Sequence, residues 1–256
     1  MGAQGPVVKM EEIRKSFGPV KALDGASLEA YAGQVVGILG DNGAGKSTMI
    51  KILSGVYHPD SGKIIFEGKE VQFDSPIDAR KVGIETIYQD LAIVNDLSVY
   101  HNIFLAREKL WSGFRLVSFL RNARMANDAV DLLKESNADI QNVKAKVGTL
   151  SGGQRQVVAV ARSVYFSAKV LIMDEPTASL GVVETRRVLD LIMNLKARGN
   201  IAVILIAHNI QQVMTVADRV VILSRGKVVA EREVKSSSVD EVTGLITAAS
   251  LGSRQQ

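Results

Sequence analysis

The run Val35-Val36-Gly37-Ile38-Leu39-Gly40-Asp41-Asn42-Gly43-Ala44-Gly45-Lys46-Ser47-Thr48 decides the fold. Its first part, Val35 to Leu39, is short and apolar throughout, which suits a strand covered on both faces. The residues from Gly40 to Ser47 keep the spacing Gly-x4-Gly-Lys-Ser, the phosphate-binding loop (P-loop) pattern, directly after that strand. Glycines let backbone N–H groups curl around phosphate oxygens, and the helix that opens here adds its positive end. Gly40, Asp41, Asn42, Gly43, Ala44 and Gly45 therefore read as a phosphate cradle. Lys46 is spaced to reach the β- and γ-phosphates, the Ser47 hydroxyl to ligate Mg²⁺, and Thr48 to touch the α-phosphate.

Working outward, the same kind of apolar run recurs at Val170–Met173, Ile201–Ile206 and Val220–Leu223. Helical periodicity lies between them: Val188, Leu191, Ile192 and Leu195 share one face, and Gly199 stops the helix. Such strand–helix alternation predicts an α/β fold with a parallel sheet. The N-terminal part and Gly62–Phe73 read as short strands with turns, a small antiparallel layer. The segment from about Ser98 to Asn137 reads as helical, with Met125, Ala129, Leu132 and Leu133 on one face. The division expected is a single domain over 1–256. Its α/β core and antiparallel layer take 7–95 and 155–233, a helical subdomain takes 96–154, and a C-terminal helix and tail take 234–256.

Composition narrows the chemistry. The chain has 256 residues, 46% hydrophobic and 23% charged, enough to bury a core without staples. It has no cysteine, which excludes disulfides, thiolate zinc and a cysteine nucleophile. A net charge of +4 is too small to argue for nucleic acid. The longest stretch without charged residues, Gly199–Ala217, holds Asn200, His208, Asn209, Gln211 and Gln212, which a bilayer core would not accept cheaply. The N-terminus carries no secretory pattern. Work at a membrane would need a partner that supplies the span.

Two further motifs carry chemistry. Val170–Met173 runs into Asp174-Glu175. A carboxylate at Asp174, at the end of a buried strand, can hold Mg²⁺ through water, and Glu175, turned the other way, can polarise an attacking water. Phosphoanhydride hydrolysis needs this positioning and charge neutralisation more than covalent chemistry. Leu150-Ser151-Gly152-Gly153-Gln154-Arg155-Gln156 opens a helix, with Ser151 a plausible N-cap and its glycines leaving N–H groups open to an anion.

With these motifs in this order, the sequence resembles the ATP-binding cassette family, the ATPase subunits of ABC transporters, from about Val7 to Glu233. The resemblance implies a P-loop NTPase (RecA-like) α/β core with an antiparallel β layer and a helical insertion. Leu150–Gln154 matches the family signature, which implies that Ser151 and Gly153 contact the γ-phosphate held by a second cassette in a head-to-tail dimer, with Gln154 also among the nucleotide-binding residues. Gln89 matches the loop glutamine that senses Mg²⁺ and the membrane subunits, His208 the switch histidine, and Phe17 the aromatic that stacks on adenine. ATP and Mg²⁺ are the implied cofactors.

Leu53–Gly62, Asp74–Arg80 and Leu97–Leu105 resemble the branch that energises uptake of simple sugars of the ribose, xylose or fructose type. That resemblance implies an integral membrane permease as partner, indirectly a sugar-binding protein, no nucleic acid, and a place on the cytoplasmic face of the membrane. Two departures stand out. That branch is often two cassettes in one chain, and this chain has one P-loop. Gly181 stands where most cassettes carry Asp. A soluble cassette ATPase acting on a ribosome, DNA or another assembly is the alternative, as is an inactive nucleotide-binding subunit. The segment 98–137 lacks the sustained heptads of the first, and intact Lys46, Asp174, Glu175 and His208 speak against the second.

Overall fold

A computed structural model describes residues 5–113, 117–135 and 140–251. These fall into two compact units. The first holds the chain up to Gln89, Ala168–Ala178, and everything from Ile192; the second holds Asp90–Ser167 and Ser179–Leu191.

The first unit begins with β1 (Val8–Phe17) and β2 (Val20–Ala30), an antiparallel pair, followed by β3 (Val35–Leu39), α1 (Lys46–Leu53), β4 (Ser61–Phe66), β5 (Lys69–Val71), α2 (Pro76–Val82) and β6 (Ile84–Ile87). The chain crosses to the second unit for α3 (Val99–Ile103), β7 (Leu110–Gly113), β8 (Val117–Leu120), α4 (Asn122–Glu135) and α5 (Gly152–Tyr165). It then runs through β9 (Val170–Asp174), α6 (Val182–Ala197), β10 (Ala202–Ile206), α7 (Ile210–Val216), β11 (Arg219–Ser224), β12 (Lys227–Glu233) and α8 (Val239–Leu251).

Two sheets build the first unit. One is antiparallel, in the order β2-β1-β4-β5. The other has the order β12-β11-β3-β10-β9-β6 and is parallel except for β12, which pairs antiparallel with β11. The predicted apolar strands sit at its centre: every residue of β3 and β10 is buried. Each such Val, Ile or Leu taken fully from water contributes about 1.5–3 kcal/mol. The sheet order places the ends of β3, β9 and β10 side by side, so the loops leaving those three strands gather at one edge, where open α/β sheets bind ligands. Gly37, inside β3, leaves room for α7: a Cβ there would come within 2.3 Å of Val213 Cγ1.

The second unit differs from the sequence expectation. Residues 98–137 are not wholly helical, because β7 and β8 form an antiparallel hairpin pairing Leu110 with Leu120 and Trp111 with Phe119. Its composition explains it: Leu, Trp, Val and Phe interleaved with serines favour a pleated pair over a helix. The unit also takes in α5, which the expected division gave to the α/β core, and its boundary falls after Gln89 rather than at residue 96. The strand β6 has no clear sequence signal, since its four residues include Glu85 and Thr86.

Asn102 ties the second unit together locally. It is 1% exposed. Its Oδ1 accepts from the Val94 amide at 2.8 Å, and its Nδ2 donates to the carbonyls of Val94, Leu97 and Ser98. One buried amide thus satisfies the turn that leads into α3, where unpaired backbone groups would be costly.

Candidate functional site

The P-loop connects β3 to α1. Gly40 has φ +144°, and a Cβ there would lie 2.1 Å from the Leu223 carbonyl oxygen. Gly45, the N-cap of α1, has φ +107°, and a Cβ would meet the Ala22 carbonyl at 2.5 Å. Both positions need glycine for backbone conformation and for space. Gly43 has φ +80° and open space around it, so only its conformation matters.

Lys46 is 7% exposed. Its Nζ donates to the carbonyl oxygens of Gly40 at 2.6 Å and Asp41 at 2.9 Å, curling the side chain back over its own loop. Burial pulls its pKa below the usual lysine value, against the pull of Glu175, Asp41 and Asp174. Ser47 and Thr48 begin α1, and the Ser47 side chain is exposed. Asp41 is exposed and accepts a hydrogen bond from Ser250 Oγ at the end of α8. That link spans nearly the whole chain and has no sequence signal.

Asp174 ends β9. Burial, and then the negative charge of Glu175, raise its pKa above the ordinary carboxylate value, while Lys51, Lys46 and His208 act the other way. Glu175 adopts φ 51°, a left-handed conformation unusual for a non-glycine residue and costing about 1–2 kcal/mol. Its N–H donates to the Ile206 carbonyl at 2.8 Å, which holds the kink against the end of β10. Its Oε1 lies 2.8 Å from His208 Nε2. Beyond Glu175, Thr177 Oγ1 donates to Gln212 Oε1 at 2.8 Å and fixes the loop to α7.

Lys46, Asp174, Glu175 and His208 are therefore brought together at the ends of three adjacent parallel strands. Gln89 lies exposed just past β6 on the same sheet. Phe17 closes β1, is 43% exposed, and meets the Tyr57 ring edge-on at 5.2 Å between centroids. Among the described residues no cluster of three or more His, Asp or Glu could hold a metal by itself. The donors available are the Ser47 hydroxyl and the Asp174 carboxylate, hard oxygen ligands that suit Mg²⁺ held partly by substrate phosphates.

Ser151, Gly153 and Gln154 stand in the second unit. Ser151 caps α5, with a reciprocal capping box: Gln154 N donates to Ser151 Oγ at 3.3 Å and Ser151 N to Gln154 Oε1 at 3.0 Å. Sequence reading missed a neighbour. Glu184, in the first turn of α6, packs on Gly153, where a Cβ would meet its Cβ at 3.1 Å. The Glu184 Oε2 lies 2.8 Å from where a Cβ on Gly181 would stand. Its spacing of three from Gly181 was the available signal.

Known proteins resemble this chain. Residues 23–178 match the family described as ABC transporter. The chain is 52% identical to the xylose/arabinose import ATP-binding protein XylG of Sulfolobus acidocaldarius over 246 residues, 96% of each chain. It is 46% identical to the fructose import ATP-binding protein FrcA of Rhizobium meliloti over 250 residues, again 96% of each. Among solved structures, an ATP-binding cassette of an ABC transporter in its ADP conformation superimposes with a TM-score of 0.78 at 27% identity, covering 94% of this chain and 95% of that one.

Proposed function

The chain belongs to the ABC transporter family, and from that premise we propose that it binds and hydrolyses ATP to drive import of a simple sugar. The observation that carries this is the convergence, within one unit, of a complete P-loop with Lys46, the strand-end Asp174, and the hydrogen-bonded pair Glu175–His208. Lys46 leaves its loop carbonyls to neutralise the β- and γ-phosphates. Ser47 and Asp174, with Gln89, would hold Mg²⁺, which would supply charge neutralisation at the phosphates. Burial and Glu175 disfavour ionised Asp174, a penalty that a cation held there would relieve. Glu175 orients and deprotonates the attacking water, and His208 holds that carboxylate and reads the γ-phosphate. Phe17 offers its exposed ring to adenine, with Gly40–Gly45 and Thr48 around the phosphates.

Ser151, Gly153 and Gln154 face the nucleotide of a second cassette in a head-to-tail dimer. The capping box uses the Gln154 amide and leaves those of Gly152 and Gly153, at the positive end of α5, as the donors for phosphate. No described helix is long and apolar enough to cross a membrane, so a separate permease supplies the span. The imported solute is of the pentose or hexose class that names the two similar import proteins, delivered by a sugar-binding protein, and the cassette sits on the cytoplasmic face of the membrane.

The test is direct. The purified protein releases phosphate from MgATP, and co-expression with its cognate permease in a sugar-transport-deficient host restores uptake of a pentose or hexose. Absence of MgATP hydrolysis, alone and with the permease, defeats the ATPase reading. Hydrolysis without uptake of any sugar, in a complex shown to assemble, defeats the sugar.

A further inference from the structure

Phe17 ends β1, at a turn through Gly18 and Pro19 that leads to its cross-strand partner Val20. Both members of that pair are exposed, so the sheet alone does not hold the ring. On the other side of β1, the pairing with β4 runs only as far as Arg14 opposite Ser61, where β4 begins. Ser16 and Phe17 lie beyond the end of that ladder.

Asp60, the residue before β4, continues the ladder with its side chain. Its N–H donates to the Arg14 carbonyl at 2.8 Å. Its Oδ1 accepts from Lys15 Nζ and its Oδ2 from the Ser16 amide, each at 2.7 Å. The Lys15 ammonium, and then that amide, hold the Asp60 carboxyl below the ordinary carboxylate range. One carboxylate thus clamps both residues that precede Phe17. Three positions before Asp60, Tyr57 meets the Phe17 ring edge-on, an arrangement that aromatic pairs favour. Lys15 Nζ lies 5.7 Å from the Phe17 ring centroid.

Tyr57 and Asp60 belong to the loop that leaves α1. The amides of Val56 and Tyr57 donate to the Lys51 carbonyl at 2.8 and 3.1 Å, and Lys51 Nζ lies 5.5 Å from the Tyr57 ring centroid. Gly55, with φ +75°, permits the turn: a Cβ there would lie 2.5 Å from the Ser75 carbonyl oxygen. The same helix starts at Lys46, in the phosphate cradle. Its eight residues span about 12 Å, with the phosphate loop at one end and the brace on Phe17 at the other.

We infer that Tyr57 and Asp60 are positioning residues for the nucleobase: they hold the Phe17 ring, so that α1 sets the base platform relative to the phosphate loop. The inference deepens the ATPase reading and rests on its placing of Phe17 against adenine. A ring already held loses less freedom when a base stacks on it, which favours binding.

Calorimetric binding of MgATP, and of magnesium tripolyphosphate, which has phosphates and no base, tests this. Phe17→Ala should weaken MgATP binding about 10-fold, the order of one base–aromatic stack, and leave tripolyphosphate binding as in wild type. Tyr57→Ala and Asp60→Ala should each weaken MgATP binding by about 3-fold or more, a part of that stack, with the same selectivity. Tyr57→Phe, which keeps the ring, should bind MgATP as wild type does. Added to Phe17→Ala, Tyr57→Ala should change nothing further, because it acts through that ring. The inference is overturned if Tyr57→Ala and Asp60→Ala bind MgATP as wild type does while Phe17→Ala does not. It is also overturned if they weaken tripolyphosphate binding equally, or if Tyr57→Ala still lowers affinity once Phe17 is gone. Unchanged MgATP binding in Phe17→Ala instead overturns the placing of adenine on Phe17, and this inference with it.

Discussion

His208 Nε2 and Glu175 Oε1 stand 2.8 Å apart although their residues are 33 positions apart in sequence, because β9 and β10 run parallel with Asp174 opposite Ile206. Each residue lies just past that last pair. The Glu175 amide then bonds the Ile206 carbonyl, which turns the carboxylate toward the histidine. The pair is formed by sheet register.

Glu175→Gln keeps the shape of the side chain and removes the base. It should bind MgATP and hydrolyse it at least ~100-fold more slowly, the range of one general base. With hydrolysis blocked, gel filtration in MgATP should show a shift from monomer to dimer. Normal turnover in the variant would remove Glu175 from the catalytic set.

Lys46→Ala removes a buried cation that the P-loop reading sets against the phosphates. MgATP affinity should fall by more than ~10-fold, the scale of one charge-assisted contact. Thermal unfolding without nucleotide should change little, because the ammonium is held at the cost of burial. Unchanged affinity by titration calorimetry would contradict the P-loop assignment.

Asp174 has a raised pKa, so the folded protein binds its proton more tightly than the unfolded chain does. Between the two pKa values the native state carries more protons, and stability falls as pH rises through that window. At neutral pH without Mg²⁺ the ionised carboxylate is therefore destabilising. Asp174→Asn should melt higher than wild type at pH 7, and the difference should vanish as pH falls below the ordinary carboxylate range. It should also lose the rise in melting temperature that MgATP gives wild type. Equal melting curves at neutral pH would refute this account of Asp174.

Gly181 has a backbone that other residues can adopt, since its φ lies outside the left-handed region. Gly181→Asp should fold, with Glu184 Oε2 swinging aside from 2.8 Å. Like charges at an exposed site should cost no more than about 1 kcal/mol in chemical denaturation. If a carboxylate here links the two nucleotide sites, the Hill coefficient of ATP hydrolysis should rise above that of wild type. Identical coefficients would assign the link elsewhere.

The parts of this molecule legible in sequence are those whose information is local. The apolar runs at Val35–Leu39 and Val170–Met173 announce buried strands, and the residues just after them announce their chemistry. Ser151 announces a helix N-cap, and the structure forms it, with Gln154 completing a reciprocal capping box. The features that sequence does not reveal depend on neighbours brought from afar. The strand β6 is mixed in composition and is a strand because β9 pairs with it, Ile84 against Val170. The hairpin β7–β8 is the local exception: its short run sits inside a longer stretch with helical spacing and is read with it. The buried role of Asn102 depends on carbonyls of a turn that only the fold assembles, and Glu184 matters because it lies against glycines of two different segments.

The two carbonyl bonds of Lys46 tie the lysine to its own loop. Nucleotide entry is then an exchange of ligands and not a simple addition. The lysine gives up two neutral acceptors already at 2.6 and 2.9 Å, and gains only if the groups replacing them are more strongly charged. A nucleotide ending at the α-phosphate offers the lysine nothing at the β and γ positions and leaves it where it is. A diphosphate offers one partner, and a triphosphate two. The loop's own backbone would thus set the threshold that the β- and γ-phosphates must exceed to hold Lys46.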